Sequence, residues 1–115
     1  MLQNMERTVT LQTWFDSYAY MLRANSHHSS YINIRLNALE KNIIRNDPNT
    51  RIMDYSPNQL LQSFQKMSGL KWSYIGQVIA WTDEMFQECI NCGERSENPA
   101  HFIQFIPTLI GGEHL

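Results

Sequence analysis

Residues 71–91 read KWSYIGQVIAWTDEMFQECIN, and this stretch decides the fold. At 100° per residue, Trp72, Ile75, Val78, Ile79, Thr82, Phe86, Cys89 and Ile90 form one broad apolar band. That is the pattern of a long amphipathic helix, and Gly93 closes it as glycine does just past a last turn. Polar groups are divided along its length. Lys71, Ser73, Tyr74 and Gln77, all donors, lie in the first two turns, whereas Asp83, Glu84 and Glu88 come later.

Upstream of this helix, Ser56-Pro57-Asn58-Gln59 is a start signal. Ser56 can cap, Pro57 suits the first helical position, and Gln59 can reach back to complete a capping box. Leu60, Leu61, Phe64 and Met67 make the buried face of this third helix, and Ser68-Gly69 stops it. Asn46-Asp47-Pro48-Asn49 is turn chemistry, and Arg51 to Tyr55 is expected to be short and extended. A second helix runs from near Ser29 to about Arg45, with Ile32, Leu36, Leu39 and Ile43 in one stripe. Ser30, Asn37, Lys41 and Arg45 fall on its opposite side, which carries no acid; Glu40 sits toward the flank. The first helix, about Thr10 to Asn25, buries Leu11, Trp14, Phe15, Tyr18 and Leu22. Met1 to Val9 form a loose lead-in, and Asn98-Pro99-Ala100 precedes an apolar tail. Four amphipathic helices with short connections and almost no alternating pattern predict an all-α small bundle.

The chain of 115 residues fits one domain, and 43% hydrophobic against 17% charged residues supports a packed core. No apolar run approaches the ~18 residues of a membrane span and no leader opens the chain, so a cytoplasmic protein without membrane contacts is expected. Nine Lys plus Arg against eleven Asp plus Glu give a net charge of −2. A protein so balanced grips a polyanion only if its cations are gathered on one face and its acids sit elsewhere. Cys89 and Cys92 are spaced C-x-x-C, but a zinc site would want a second pair or histidines at ligand spacing. His101 is the nearest histidine, and His27, His28 and His114 are far off. The pair reads as a buried or idle thiol pair, with metal and redox roles as weaker alternatives; no metal or cofactor is expected. A Gly-rich phosphate loop and a nucleophile elbow are both missing, which argues against a stand-alone enzyme.

Taken in order, these features resemble a known family. A Trp/Phe/Tyr helix is followed by a Ser29-Ser30-Tyr31 helix start and by Tyr55-Ser56-Pro57-Asn58-Gln59-Leu60, then by a long helix, Gly93 and Asn98-Pro99. The sequence resembles the SAM-like, core-binding N-terminal domain of phage-type integrases, the tyrosine recombinases, from roughly Thr10 to Pro107. Each motif alone is generic turn and cap language; their order and spacing carry the resemblance. It implies a fragment of a recombinase of a phage or other mobile element, with residues 108–115 starting the linker to a catalytic domain. That domain's arginines, His-x-x-Arg element, lysine and tyrosine nucleophile have no counterpart here, so no catalytic residue is expected.

The resemblance implies that double-stranded DNA at a core recombination site is the partner, with other integrase protomers assembling on the same DNA. The second and fourth helices would turn their polar faces and their N-terminal ends to the major groove and phosphates. Ser29, Ser30, Asn33, Asn37, Lys41 and Arg45 on the second helix are the expected contacts, as are Lys71, Ser73, Tyr74 and Gln77 on the fourth. Lys66 and Arg51 are further phosphate candidates. Plainer readings stand beside these: a solvated face for Asn37, Lys41 and Arg45, bare surface for Lys71, Ser73 and Gln77, core packing for Tyr74 and Trp81, and a loop for His27 and His28. The rival class is a helical protein–protein interaction module, which suits the net charge better.

Overall fold

Thr10 and Ser56 open two of the helices by the same device. Thr10 Oγ1 accepts from the Thr13 amide at 3.1 Å while Thr13 Oγ1 accepts from the Thr10 amide at 2.6 Å. Ser56 Oγ accepts from the Gln59 amide at 3.1 Å, and Gln59 Oε1 accepts from the Ser56 amide at 2.9 Å. Each box satisfies amides that have no partner inside the helix. The computed structural model describes residues 8–103. Its helices are α1 (Leu11–Ala24), α2 (Ser29–Asn42), α3 (Pro57–Gln65) and α4 (Trp72–Asn91). Short 3-10 turns lie at Ile44–Asn46, Ile52–Asp54 and Pro99–Phe102. Among the described residues there is no β-strand beyond one isolated bridge, Thr10 to Arg51, and no helix is long and apolar enough to cross a membrane. The fold is a small all-α bundle.

The core collects the expected stripes. Trp14, Phe15 and Tyr18 of α1 meet Ile32, Leu36 and Leu39 of α2, Leu60 and Phe64 of α3, and Ile75, Val78 and Phe86 of α4. Each such side chain removed from water contributes about 1.5–3 kcal/mol before entropy is set against it. Trp81 and Met85 are buried as well, so α4 hides a wider arc than its apolar band alone suggests. The helix is packed from several sides, by α1, α2 and the Pro99–Phe102 turn.

Several boundaries differ from the sequence reading. Helix α2 ends at Asn42, and Arg45 belongs to the tighter turn that follows. Helix α3 ends at Gln65, ahead of Ser68-Gly69. The segment expected to be extended is so at Arg51 and Tyr55 but winds into a turn at Ile52–Asp54 between them, and Ile52 and Tyr55 are buried. Val9 is no loose lead-in, because its carbonyl accepts from the Ile52 amide at 2.7 Å and it packs on the core. The expected linker, residues 108–115, lies outside the described residues, as do residues 1–7.

After α4 the chain is turned and tied back. Gly93 takes φ 79°, a left-handed conformation in which a side chain is strained. The Gly93 amide donates to the Ile90 carbonyl and the Glu94 amide to the Cys89 carbonyl, the paired bonds of a Schellman ending. Arg95 then reaches inward. Its Nη1 donates to the carbonyls of Ile52 and Tyr55, 2.7 Å each, and its guanidinium lies 5.8 Å from the Phe86 ring centre. Asn98 is buried, donating to the Asp83 carboxylate at 2.8 Å and accepting from the Ala100 amide at 2.9 Å. The Asn-Pro element is thus a strut that fixes the chain leaving α4.

Candidate nucleic-acid interface

The relation between α2 and α4 decides what surface they can present. Trp81 Nε1 donates to the Tyr31 hydroxyl at 3.2 Å near the start of α2, and their rings meet edge to face at 6.1 Å. At the other end, Asn42 Nδ2 donates to the Tyr74 hydroxyl at 2.8 Å. Tyr31 is in the first turn of α2 and Asn42 is its last residue, whereas Tyr74 is in the first turn of α4. The two helices therefore run in opposite directions. Their N-terminal ends, expected to approach DNA together, lie at opposite ends of the pair, and the ten candidate residues divide into two groups.

One group gathers where α2 ends and α4 begins. The third helix ends there too, since Asn46 Nδ2 donates to Ser63 Oγ at 2.8 Å and Lys66 Nζ donates to Asn46 Oδ1 at 3.4 Å. Lys41 and Arg45 adjoin Asn42 and Asn46, and Lys71 stands one turn before Tyr74. Lys41, Arg45, Lys66 and Lys71 are all exposed, and none pairs with a carboxylate among the described residues. Ser73 and Gln77 are exposed on the adjoining turns of α4, and Asn37 lies one turn back along α2. Two acids are close in sequence. Asp47 is half-buried and accepts from the Gln59 side-chain amide at 3.3 Å. Glu40, also half-buried, lines a separate groove together with Asp16 and Asn37.

The second group, Ser29, Ser30 and Asn33, is exposed at the opposite end of α2. Here α4 carries its acids, but these are engaged. Glu84 Oε1 accepts from Arg35 Nη2 at 2.7 Å, and Asp83 accepts from Asn98 and sits 3.0 Å from His101 Nε2. Tyr74 is half-buried with its hydroxyl bonded to Asn42, so packing describes it better than stacking on a base. Arg51 sits 3.7 Å from Asp54 and is spent on that ion pair. His27 and His28 are exposed in the loop before α2.

Neither α2 nor α4 has a side-chain cap: His28 and Lys71 occupy the N-cap positions without a capping hydrogen bond. Helices α1 and α3 spend first-turn amides on Thr10 and Ser56, a side-chain cap that α2 and α4 do not have. The basic corner combines the positive dipole end of α4 with cations at the negative dipole end of α2.

Arg35 was not among the residues singled out from sequence. It is 11% exposed, donates to Tyr18 as well as Glu84, and walls a cleft of about 390 Å³ with Leu22, Gln87 and Glu88. Burial pushes the Tyr18 phenol above its usual range. The cysteines differ in setting: Cys89 is buried, which pushes its thiol up to about 12, and Cys92 is exposed beside Glu88. Among the described residues no three His, Cys, Asp or Glu side chains are grouped as metal ligands.

Comparison of the chain with family models, with curated proteins and with solved structures finds no match in any of the three.

Proposed function

We propose that this chain is the DNA-binding, core-site domain of a site-specific tyrosine recombinase (integrase) of a phage or other mobile element. It binds double-stranded DNA and works beside a catalytic domain, with further protomers joining on the DNA. The carrying observation is that the Asn42–Tyr74, Asn46–Ser63 and Lys66–Asn46 bonds join the helix ends on which Lys41, Arg45, Lys66 and Lys71 lie, exposed cations without a carboxylate partner among the described residues. The acids of α4 lie at the far end and are held by protein donors. A mildly acidic protein segregates its charge in this way when a polyanion must be met on one side.

Helix α2 supplies the rest of the geometry. Its 14 residues span roughly 21 Å, enough to lie in a major groove about 12 Å wide and reach both backbones. One end would place Lys41, Arg45 and Lys71 on one strand, and the uncapped start with Ser29 and Ser30 would face the other. Four phosphate contacts correspond to a salt slope of about −3 to −4 and to binding in the weak range of roughly 10⁻⁴ to 10⁻⁶ M for the isolated domain. Tight binding would come from linking it to other DNA-binding domains on one chain.

Amide shift mapping with a duplex at low salt tests the reading. Shifts at 29–45 and 71–77 support it. The interaction-module reading draws on the groove between α1 and α2, floored by Phe15, Ala19 and Leu36 under exposed Tyr20. Shifts confined to that groove, or none with DNA, would favour it.

A further inference from the structure

We infer that Ile34 is a specificity-determining residue that reads the methyl group of a thymine in the major groove. The inference rests on the DNA-binding reading above and adds a base contact to it. Ile34 is 61% exposed in the middle of α2, where burial gives it no stabilising role. Among the other exposed apolar side chains, Tyr20 is 75% exposed on α1, where it lines the groove with α2, which Ile34 does not line. Tyr31 is pinned through its hydroxyl and ring by Trp81, and the Met53 sulfur accepts from Arg51. Leu70 and Phe102 lie outside the four α-helices.

Ile34 differs in what shares its face. At 100° per residue, Ser30, Ile34, Asn37 and Lys41 fall within an arc of roughly 60°. All four are exposed, and no acid belongs to the stripe. From Ser30 to Lys41 the stripe runs roughly 16 Å, close to five base-pair steps of about 3.4 Å. A cation at one end and hydroxyls at the other fix such a helix on the phosphates, which carry no sequence information. What faces the bases between them is a branched hydrocarbon beside an amide. The thymine 5-methyl is the apolar group that the major groove offers, so an A·T pair is what Ile34 fits. Lys41 at one end, with polar Ser30 and Asn37 and no acid within the stripe, favours DNA as the occupant over an apolar protein surface.

The test is selection of duplexes from a randomised pool with the full chain, followed by replacement of each thymine of the enriched site by deoxyuridine. That change removes only a methyl. One replacement is expected to weaken wild-type binding about four-fold, the value of one buried methyl-sized group. Ile34→Ala should bind the two duplexes equally, with an unchanged salt slope and unchanged helical circular dichroism. If Ile34→Ala still discriminates, or if no thymine matters while salt-dependent binding persists, this inference falls and the DNA-binding reading stands. Absence of any duplex binding by the wild type overturns both.

Discussion

The side chain of Asn42, the last residue of α2, donates to the hydroxyl of Tyr74, in the first turn of α4, across 2.8 Å. Asn42 also donates to the Ala38 carbonyl at 2.9 Å, so its amide is held from both sides. This joint sets the end of α2 beside the start of α4 and thereby brings Lys41 and Lys71 to the same corner. It joins two helix ends that each carry an exposed cation.

Tyr74→Phe removes the acceptor while keeping the ring. A net hydrogen bond is worth about 1 kcal/mol, and leaving the half-buried amide short of a partner adds a little to that. Urea unfolding should show a lower midpoint with an unchanged slope, because the surface exposed on unfolding is the same. A midpoint equal to wild type would mean the joint contributes nothing to stability.

Arg95 should matter to the fold and not to DNA. Arg95→Met keeps much of the contact with Phe86 but strips the carbonyls of Ile52 and Tyr55 of a charged donor. A loss of about 3 kcal/mol is expected, from two charge-assisted bonds. Where the variant is folded, its salt slope for duplex binding should match wild type, since the guanidinium points inward.

Stability should fall in alkali. The buried Cys89 thiol is raised from 9.0 to about 12, and burial raises the Tyr55 and Tyr18 phenols too. The native state therefore holds these protons more tightly than the unfolded chain does. Their contribution is fully present below about pH 9 and is lost as pH rises toward 12, at up to about 1.4 kcal/mol per pH unit for each proton. Denaturant midpoints measured from pH 7 to pH 11 check the sign, and Cys89→Ala should flatten the profile in that window. In the native protein at pH 8 a thiol reagent should modify Cys92 and reach Cys89 only on unfolding.

Most of the fold was legible because it is written in local chemistry. The Ser56, Pro57 and Gln59 start, the Gly93 stop and the Ile32–Leu36–Leu39 stripe each depend on residues within one or two turns, and each is found where the pattern puts it. The contacts that sequence reading could not supply act at long range. Arg95 bonds carbonyls some forty residues away, Asn98 bonds Asp83, and Arg35 spans from Tyr18 to Glu84. Met85 is buried because neighbours pack on α4 from several sides, which a single helical wheel does not register. The candidate interface was legible as residue types but not as a surface. Helix direction is a tertiary property, and it moves Ser29 and Ser30 to one end while leaving Lys41 and Arg45 beside Lys71. Within 51–55 the ends Arg51 and Tyr55 are extended as expected, and only Ile52–Asp54 departs, because a three-residue turn and a short extended piece have no period to tell them apart.

The central claim is that one corner of the bundle neutralises phosphates. Its most direct test is duplex binding measured across a series of salt concentrations for wild type, Lys41→Ala, Lys71→Ala and the double variant. The account predicts weaker binding in each single variant, a logarithmic slope shallower by about 0.9 per lysine and by about twice that in the double variant, and unchanged thermal unfolding. Slopes identical to wild type in all three variants would contradict it.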